Sequence, residues 1–378
     1  MTAARAPVVP SLAAFLVGGT VPWSALSASE AEILEACVDQ GVSSLVSRRV
    51  RALSSDCDWP PAVREGLAAA AAAEAAREVL CRRELVAVLN ALSDAGVSPI
   101  LLKGTALAYS LYPEPHLRPR CDTDLIVPHA AVNTVRGTLT RIGYASPPYC
   151  DGELLFHQVP FRKTDRLGVV HRLDLHWKIS TQAMFADVLP VEELAKTAVP
   201  VPALGPHART AGRVHALLLA CLHAVMHHRN EERLIWMHDI HLLASDLPPV
   251  DFDRFAQLAI AGRVATVCAH TLNLVRTRLG TPVPAETMAT LGAPLNKEAT
   301  SAYLRPARRW RHELVSNLWG LPRWRDRRRL LREILFPAPS YMLDVYGVPR
   351  GSRGTVLLPL LYLHRSVRGG VNALVGRK

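Results

Sequence analysis

The chain has 378 residues, 49% of them hydrophobic and 20% charged, with a formal net charge of +11 and a pI near 9.6. That balance excludes a disordered chain and leaves room for two or three domains. The basic surplus suits an anionic partner such as nucleotide phosphates, nucleic acid or a lipid surface. Seven cysteines without a CxxC pair offer neither a zinc ribbon nor a thioredoxin-like site. No apolar run reaches the roughly 18–20 residues that cross a bilayer. At the N-terminus, VVPSLAAFLVGG follows one early Arg, but Pro and Gly interrupt its apolar part, which argues against a secretory signal. A cytoplasmic protein with reduced thiols is expected.

Residues 1–95 read as a helical region. SEAEILEACVDQG has the pattern of a helix with Ser29 as its cap and Gly41 as its end. Pro61 is placed to start a second, much longer helix, and Gly96 to stop it. At the helical rise this element would be about 50 Å long. Leucines and valines at 80, 85, 88, 89 and 92 favour a packed helix over a low-complexity linker.

Residues 96–180 change texture. VSPILL reads as a strand, ALAYSLY as a helix, DLIV as a strand, and PHAAVNTVRGTLTRIGY as a helix and its exit. LLFHQVPFRK and VVHRLDLHWKI follow as two strands, with TDRLG as a hairpin turn. The expectation is an α+β fold, a small mixed sheet flanked by N-terminal helices and a larger helical region over 181–378.

In LRPRCDTDLIVP, Asp122 and Asp124 run directly into Leu125, Ile126 and Val127. Side chains alternate along a strand, so both acids point the same way. Buried charge is costly without a partner. Either Arg118 and Arg120 neutralise the pair, or the pair holds a cation, for which oxygen ligands suit Mg²⁺ or Mn²⁺. In HRLDLHWKI, alternation puts Arg172, Asp174 and His176 on one face and Leu173, Leu175 and Trp177 on the other. If this strand lies beside the first, Asp174 becomes a third carboxylate on the same cleft. Three such acids can hold two divalent ions for phosphoryl transfer. Upstream, LLKGTALA ends a strand, turns at Gly104 and begins a helix whose free N–H groups can meet a phosphate, with Lys103 beside them. The order of a Walker P-loop is absent.

Taken in order, LLKG–x–ALA–xx–LY, LRP–xx–DTDLIVP and LDLHW resemble the uncharacterised nucleotidyltransferase family of the DNA polymerase β superfamily. The resemblance is strongest over 97–180, and RLIWMHDIHLL extends it into the helical region. It implies a polymerase-β-like core and Mg²⁺-dependent transfer of NMP from an NTP such as ATP to a hydroxyl acceptor, with release of pyrophosphate. It implies Asp122, Asp124 and Asp174 as catalytic metal ligands, and Lys103, Gly104, Thr105 and Arg118 at the nucleotide. The acceptor could be a small molecule, a peptide or protein side chain, or a tRNA end. A non-catalytic nucleotide- or RNA-binding module and a kinase-type phosphotransferase remain as alternatives on the same scaffold.

Two other features stand out. His223 and His227 share a helical face, with His228, His238 and His241 nearby, but the HAVMH pattern lacks the glutamate of a zinc-protease motif. A helical face beneath the core, with Trp236 and Asp239 as structural partners, is the expectation. Ten arginines lie between 305 and 332, interleaved with Trp310, Trp319 and Trp324. They suit RNA phosphates and bases, an anionic membrane surface, or a solvated helix face.

Overall fold

The computed structural model describes residues 8–53, 56–147, 157–293, 298–305, 310–321, 323–349 and 352–375. Residues 154–156 of the expected hairpin and 306–309 of the arginine run lie outside the described residues. The chain opens with α1 (Val8–Leu16), α2 (Glu30–Asp39), α3 (Ser43–Leu53) and α4 (Pro61–Asp94). Ser29 caps α2 reciprocally: its hydroxyl accepts from the Glu32 N–H, and the Glu32 carboxylate accepts from the Ser29 N–H at 2.8 Å. The 34 residues of α4 begin at Pro61, and the chain leaves through Gly96 at φ +75, a conformation that favours glycine.

The sheet follows. Its elements are β1 (Ile100–Leu102), α5 (Lys103–Ser110), β2 (Thr123–Ile126), α6 (Val132–Arg141), β3 (Gln158–Thr164) and β4 (Val170–His176). This is the β-α-β-α-β-β order that the sequence pattern indicates. The hairpin between β3 and β4 is pinned by Asp165, whose carboxylate accepts from the N–H groups of Leu167 and Val169. Beyond residue 180 come α7 (Ala183–Ala186), α8 (Val191–Thr197) and two short strands, β5 (Val199–Pro200) and β6 (Arg209–Thr210). The strand order is β3-β4-β2-β1-β6-β5. β2 runs antiparallel to β1 and parallel to β4, and β6 runs parallel to β1. The sheet therefore reaches past residue 180, where strand signals fade in the sequence. Two-residue strands are too short to show a period of two.

Helices resume with α9 (Arg213–His227), α10 (Leu234–Ser245), α11 (Pro249–Ala261) and α12 (Ala265–Leu279). The remaining ones are α13 (Ala285–Gly292), α14 (Trp310–Gly320), α15 (Trp324–Leu335), α16 (Pro339–Val345) and α17 (Ser352–Val375). The fold is α+β.

Strand alternation divides the core in two. Leu101, Leu125, Val127, Leu173 and Leu175 pack against the second half of α4 and against α6. Ile100, Leu102 and Ile126 point the other way, toward a larger core built from α1–α3 and α9–α12. Leu125 and Leu175 are fully buried, and each contributes roughly 1.5–3 kcal/mol by leaving water. This burial fixes the strand register, since a slip of one residue would turn every side chain over. Asp124 and Asp174, one residue out of phase with those leucines, must therefore face the helical side.

Candidate active site

Asp124 on β2 and Asp174 on β4 are register partners on adjacent parallel strands. The backbone ladder thus sets their separation at about one strand spacing, roughly 4.8 Å between chains. Asp122 precedes β2 on the same face and lies exposed at the rim. Candidate ligand atoms of Asp124, Asp174 and His176 all lie within 4.8 Å of one another, and Asp122 stands outside that group. The third member, His176, belongs to the polar face of β4 that the sequence alternation identifies.

The two arginines that could have neutralised the acids are engaged elsewhere. Arg118 is buried and forks onto Asp239 of α10 through Nε at 3.0 Å and Nη2 at 2.7 Å, and Tyr112 donates to the same carboxylate at 2.7 Å. Arg120 pairs with Glu78 of α4, which also accepts from Tyr109. Arg77 donates to the Arg120 carbonyl. These contacts brace both sides of the loop that presents Asp122. Gly104 belongs to the same brace: a Cβ there would lie 3.3 Å from the Arg118 guanidinium.

Lys103 is the cation that meets an acid. Its Nζ lies 2.6 Å from Asp124 Oδ1, and the same oxygen accepts from His176 Nε2 at 2.8 Å. Lys103 adopts φ +52 at the junction of β1 and α5, a left-handed conformation that costs a non-glycine residue about 1–2 kcal/mol. That kink starts the helix and turns the ammonium onto the acids. Thr105 is buried, and its hydroxyl bonds the Asp122 carbonyl and the Thr123 hydroxyl, which ties α5 to β2.

The acids carry different electrostatic loads. Burial works to raise the Asp124 carboxyl, but Lys103 and His176 override it and hold it far below the ordinary carboxylate range. The Asp174 carboxylate makes no hydrogen bond or ion pair among the described residues. Burial, then the charges of Asp124 and Asp122, push its carboxyl up to about 6. Asp122 is raised by desolvation at the cleft mouth and by Asp124, against the pull of Lys103 and Arg118. His176 is shifted down by burial and by Lys103, so a neutral imidazole donates to Asp124. A divalent cation would relieve the repulsion among the carboxylates, and the oxygens of Asp124 and Asp174 are donors for Mg²⁺ or Mn²⁺, with His176 bonded to Asp124 beside them. The residues present fit such an ion.

The opposite wall is helical. A cleft of about 640 Å³ runs from Lys103, Asp122, Asp124 and Asp174 to His223, His227, His228, Arg233 and Trp236. That volume lies in the range of small-ligand sites. The His228 and Trp236 rings lie 4.4 Å apart, and His223 meets Trp236 edge-on at 5.1 Å. Nδ1 of His223 and Nε2 of His227 are buried without a hydrogen-bond partner among the described residues. Burial, then Lys103, lowers both imidazoles, His227 to about 3, so both are neutral. The i, i+4 spacing of this pair is visible in the sequence, but nothing there places it across from the acids.

A mixed sheet with paired acids on neighbouring strands, a strand–kink–helix entry and a cleft roofed by helices defines a nucleotidyltransferase-type scaffold. The model of the uncharacterised nucleotidyltransferase family matches residues 27–280, and the chain belongs to that family. No curated protein matches the chain. The match takes in the sheet, both walls of the cleft and α1's successors through α12, and it ends before α13.

Proposed function

We propose that this chain transfers a nucleoside monophosphate from an NTP, ATP among them, to a hydroxyl acceptor and releases pyrophosphate. The in-register placement of Asp124 and Asp174 on a cleft wide enough for a nucleotide carries this reading. Asp124 and Asp174, with His176 beside them and Asp122 at the rim, would hold Mg²⁺ or Mn²⁺. When bound, such an ion supplies charge neutralisation for the triphosphate and its leaving group. The acceptor oxygen forms a bond to the α-phosphorus, and the bond from that phosphorus to the bridging oxygen breaks. The acceptor proton passes to Asp174, the acid of the site that no described cation pairs with. Lys103, freed from Asp124 once the acids are neutralised, faces the phosphates. The N–H groups at Gly104 and Thr105 open α5 toward the same space. Arg118 acts at one remove, as a charged wall held by Asp239. His223, His228 and Trp236 supply a flat, neutral surface for a base or for the acceptor. The reaction is assigned to the cytoplasm, in keeping with six free cysteines among the described residues.

The experiment uses NTPs radiolabelled at the α- or the γ-phosphate, with Mg²⁺ and a cell extract. Label from the α-position on an acceptor, with pyrophosphate released, supports the proposal. Label from the γ-position with a nucleoside diphosphate left behind would establish a kinase instead. Metal-dependent nucleotide binding without transfer would leave a binding module, for which the Lys103–Asp124 pair is the favouring observation. Transfer that persists unchanged in Asp124→Asn and Asp174→Asn would overturn the assignment of the acids.

A further inference from the structure

We propose that α15 and α17 seat this protein on an anionic phospholipid surface, a role separate from the cleft and outside the family match. Charge is distributed very unevenly along the chain. Residues 305–378 contain 16 Arg and Lys against 4 Asp and Glu, so this stretch alone exceeds the whole-chain surplus of +11. The remainder of the molecule is close to neutral.

Apolar exposure concentrates in the same place. Twelve of the 18 large hydrophobic side chains exposed among the described residues lie beyond residue 314. On α17, Val356, Leu360, Leu363 and Val367 follow the 4-3-4 spacing of a single helical face, and they are 57–77% exposed. The opposite face carries Leu358, Leu361 and Tyr362, which are partly covered; Tyr362 bonds the Pro337 carbonyl at 2.6 Å. The helix is therefore apolar on both sides, with only one side packed.

On α15, Trp324, Leu331 and Leu335 form a second exposed line. Arg325, Arg328 and Arg332 are exposed along its edge, and the Arg328 guanidinium lies 4.8 Å from the Trp324 ring. Such a helix, with an apolar strip edged by arginines and a tryptophan, lies in the plane of a lipid interface. The arginines reach headgroup phosphates while their stems cover acyl chains. No helix among the described residues is long and apolar enough to cross a membrane, so the contact is superficial.

The same observations disfavour other occupants. Nine of the twelve exposed apolar side chains beyond residue 314 are aliphatic and offer nothing to RNA bases, which stack on aromatic rings; the aromatic three are Trp319, Trp324 and Phe336. A second copy seated face to face would bring arginine-rich surfaces together with few carboxylates to offset them.

The test is flotation of the full-length protein with vesicles of phosphatidylcholine alone and of equimolar phosphatidylcholine and phosphatidylglycerol. Binding should favour the anionic vesicles at least tenfold, roughly as expected from more than one arginine near the surface. R325E/R328E/R332E should weaken it at least about 100-fold, since each arginine contributes roughly fivefold. L360N/L363N keeps the charge and should weaken binding more than about tenfold through lost burial. Circular dichroism checks the fold, and R325Q/R328Q/R332Q replaces the charge-reversed protein if helicity falls. Equal binding to both vesicle types, wild-type binding by these variants, or no vesicle binding would overturn the proposal. So would retention on single-stranded RNA, or dimerisation through Leu360, without vesicle binding.

Discussion

Replacing Asp174 by Asn should make the metal-free protein more stable while disabling the site. Asp174 has its carboxyl raised from the ordinary 3.8 to about 6 by burial and by two neighbouring acids. The native protein keeps this proton up to about pH 6, whereas the unfolded chain releases it near 3.8. Stability is therefore lost as pH rises between those values, and the deficit is complete above the upper one. Two pKa units correspond to about 3 kcal/mol, and screening through the open side of the cleft reduces this to about 1–2 kcal/mol. Asn keeps the shape and removes the charge. Urea denaturation in a chelating buffer at about pH 8 should show Asp174→Asn more stable by that amount, with the gain largely gone by about pH 4. Added Mg²⁺ should raise the midpoint of the wild type and leave the variant unmoved. A variant less stable than wild type at the higher pH, or a gain that persists in acid, would refute the idea that the carboxylates repel one another.

Three other outcomes are expected. Lys103→Met leaves Asp124 buried with only His176, so the metal-free protein should lose about 3–5 kcal/mol, and Mg²⁺ should restore more stability to the variant than it adds to wild type in urea titrations. Asp239→Ala strands the buried Arg118 and should cost about 3–5 kcal/mol, most of it recovered in Arg118→Met/Asp239→Leu by denaturation. His223→Leu and His227→Leu remove nitrogens that bond no described residue, so each should change stability by less than about 1 kcal/mol. Steady-state kinetics should show KM for nucleotide or acceptor rising several-fold in these two variants, with kcat changed less.

The sheet and the acids are legible in the sequence because both follow a period of two. Leu173, Leu175 and Trp177 alternate with Arg172, Asp174 and His176, and that pattern alone assigns faces before any pairing is known. The partnership of β2 with β4 does not follow from spacing, and it is what converts two separate acids into a site. The ion pairs were hidden for a different reason. Arg118 and Arg120 stand beside Asp122 in the chain, yet they reach Asp239 and Glu78, 121 and 42 residues away. Positions two apart would share a side in a strand, but residues 118–122 lie outside β2, so local charge balance misleads there. Likewise, the histidines of α9 reveal their shared face in the spacing but not the cleft that the face overlooks.

The two walls of the cleft are unequal in how freely they can change. Asp124 and Asp174 sit on a hydrogen-bonded ladder whose spacing no side-chain substitution can alter. The facing residues hang from α9 and α10, where a replacement reshapes the recess without touching the sheet. A replacement on the helical wall can therefore change what the recess admits while the paired acids stay where the sheet puts them.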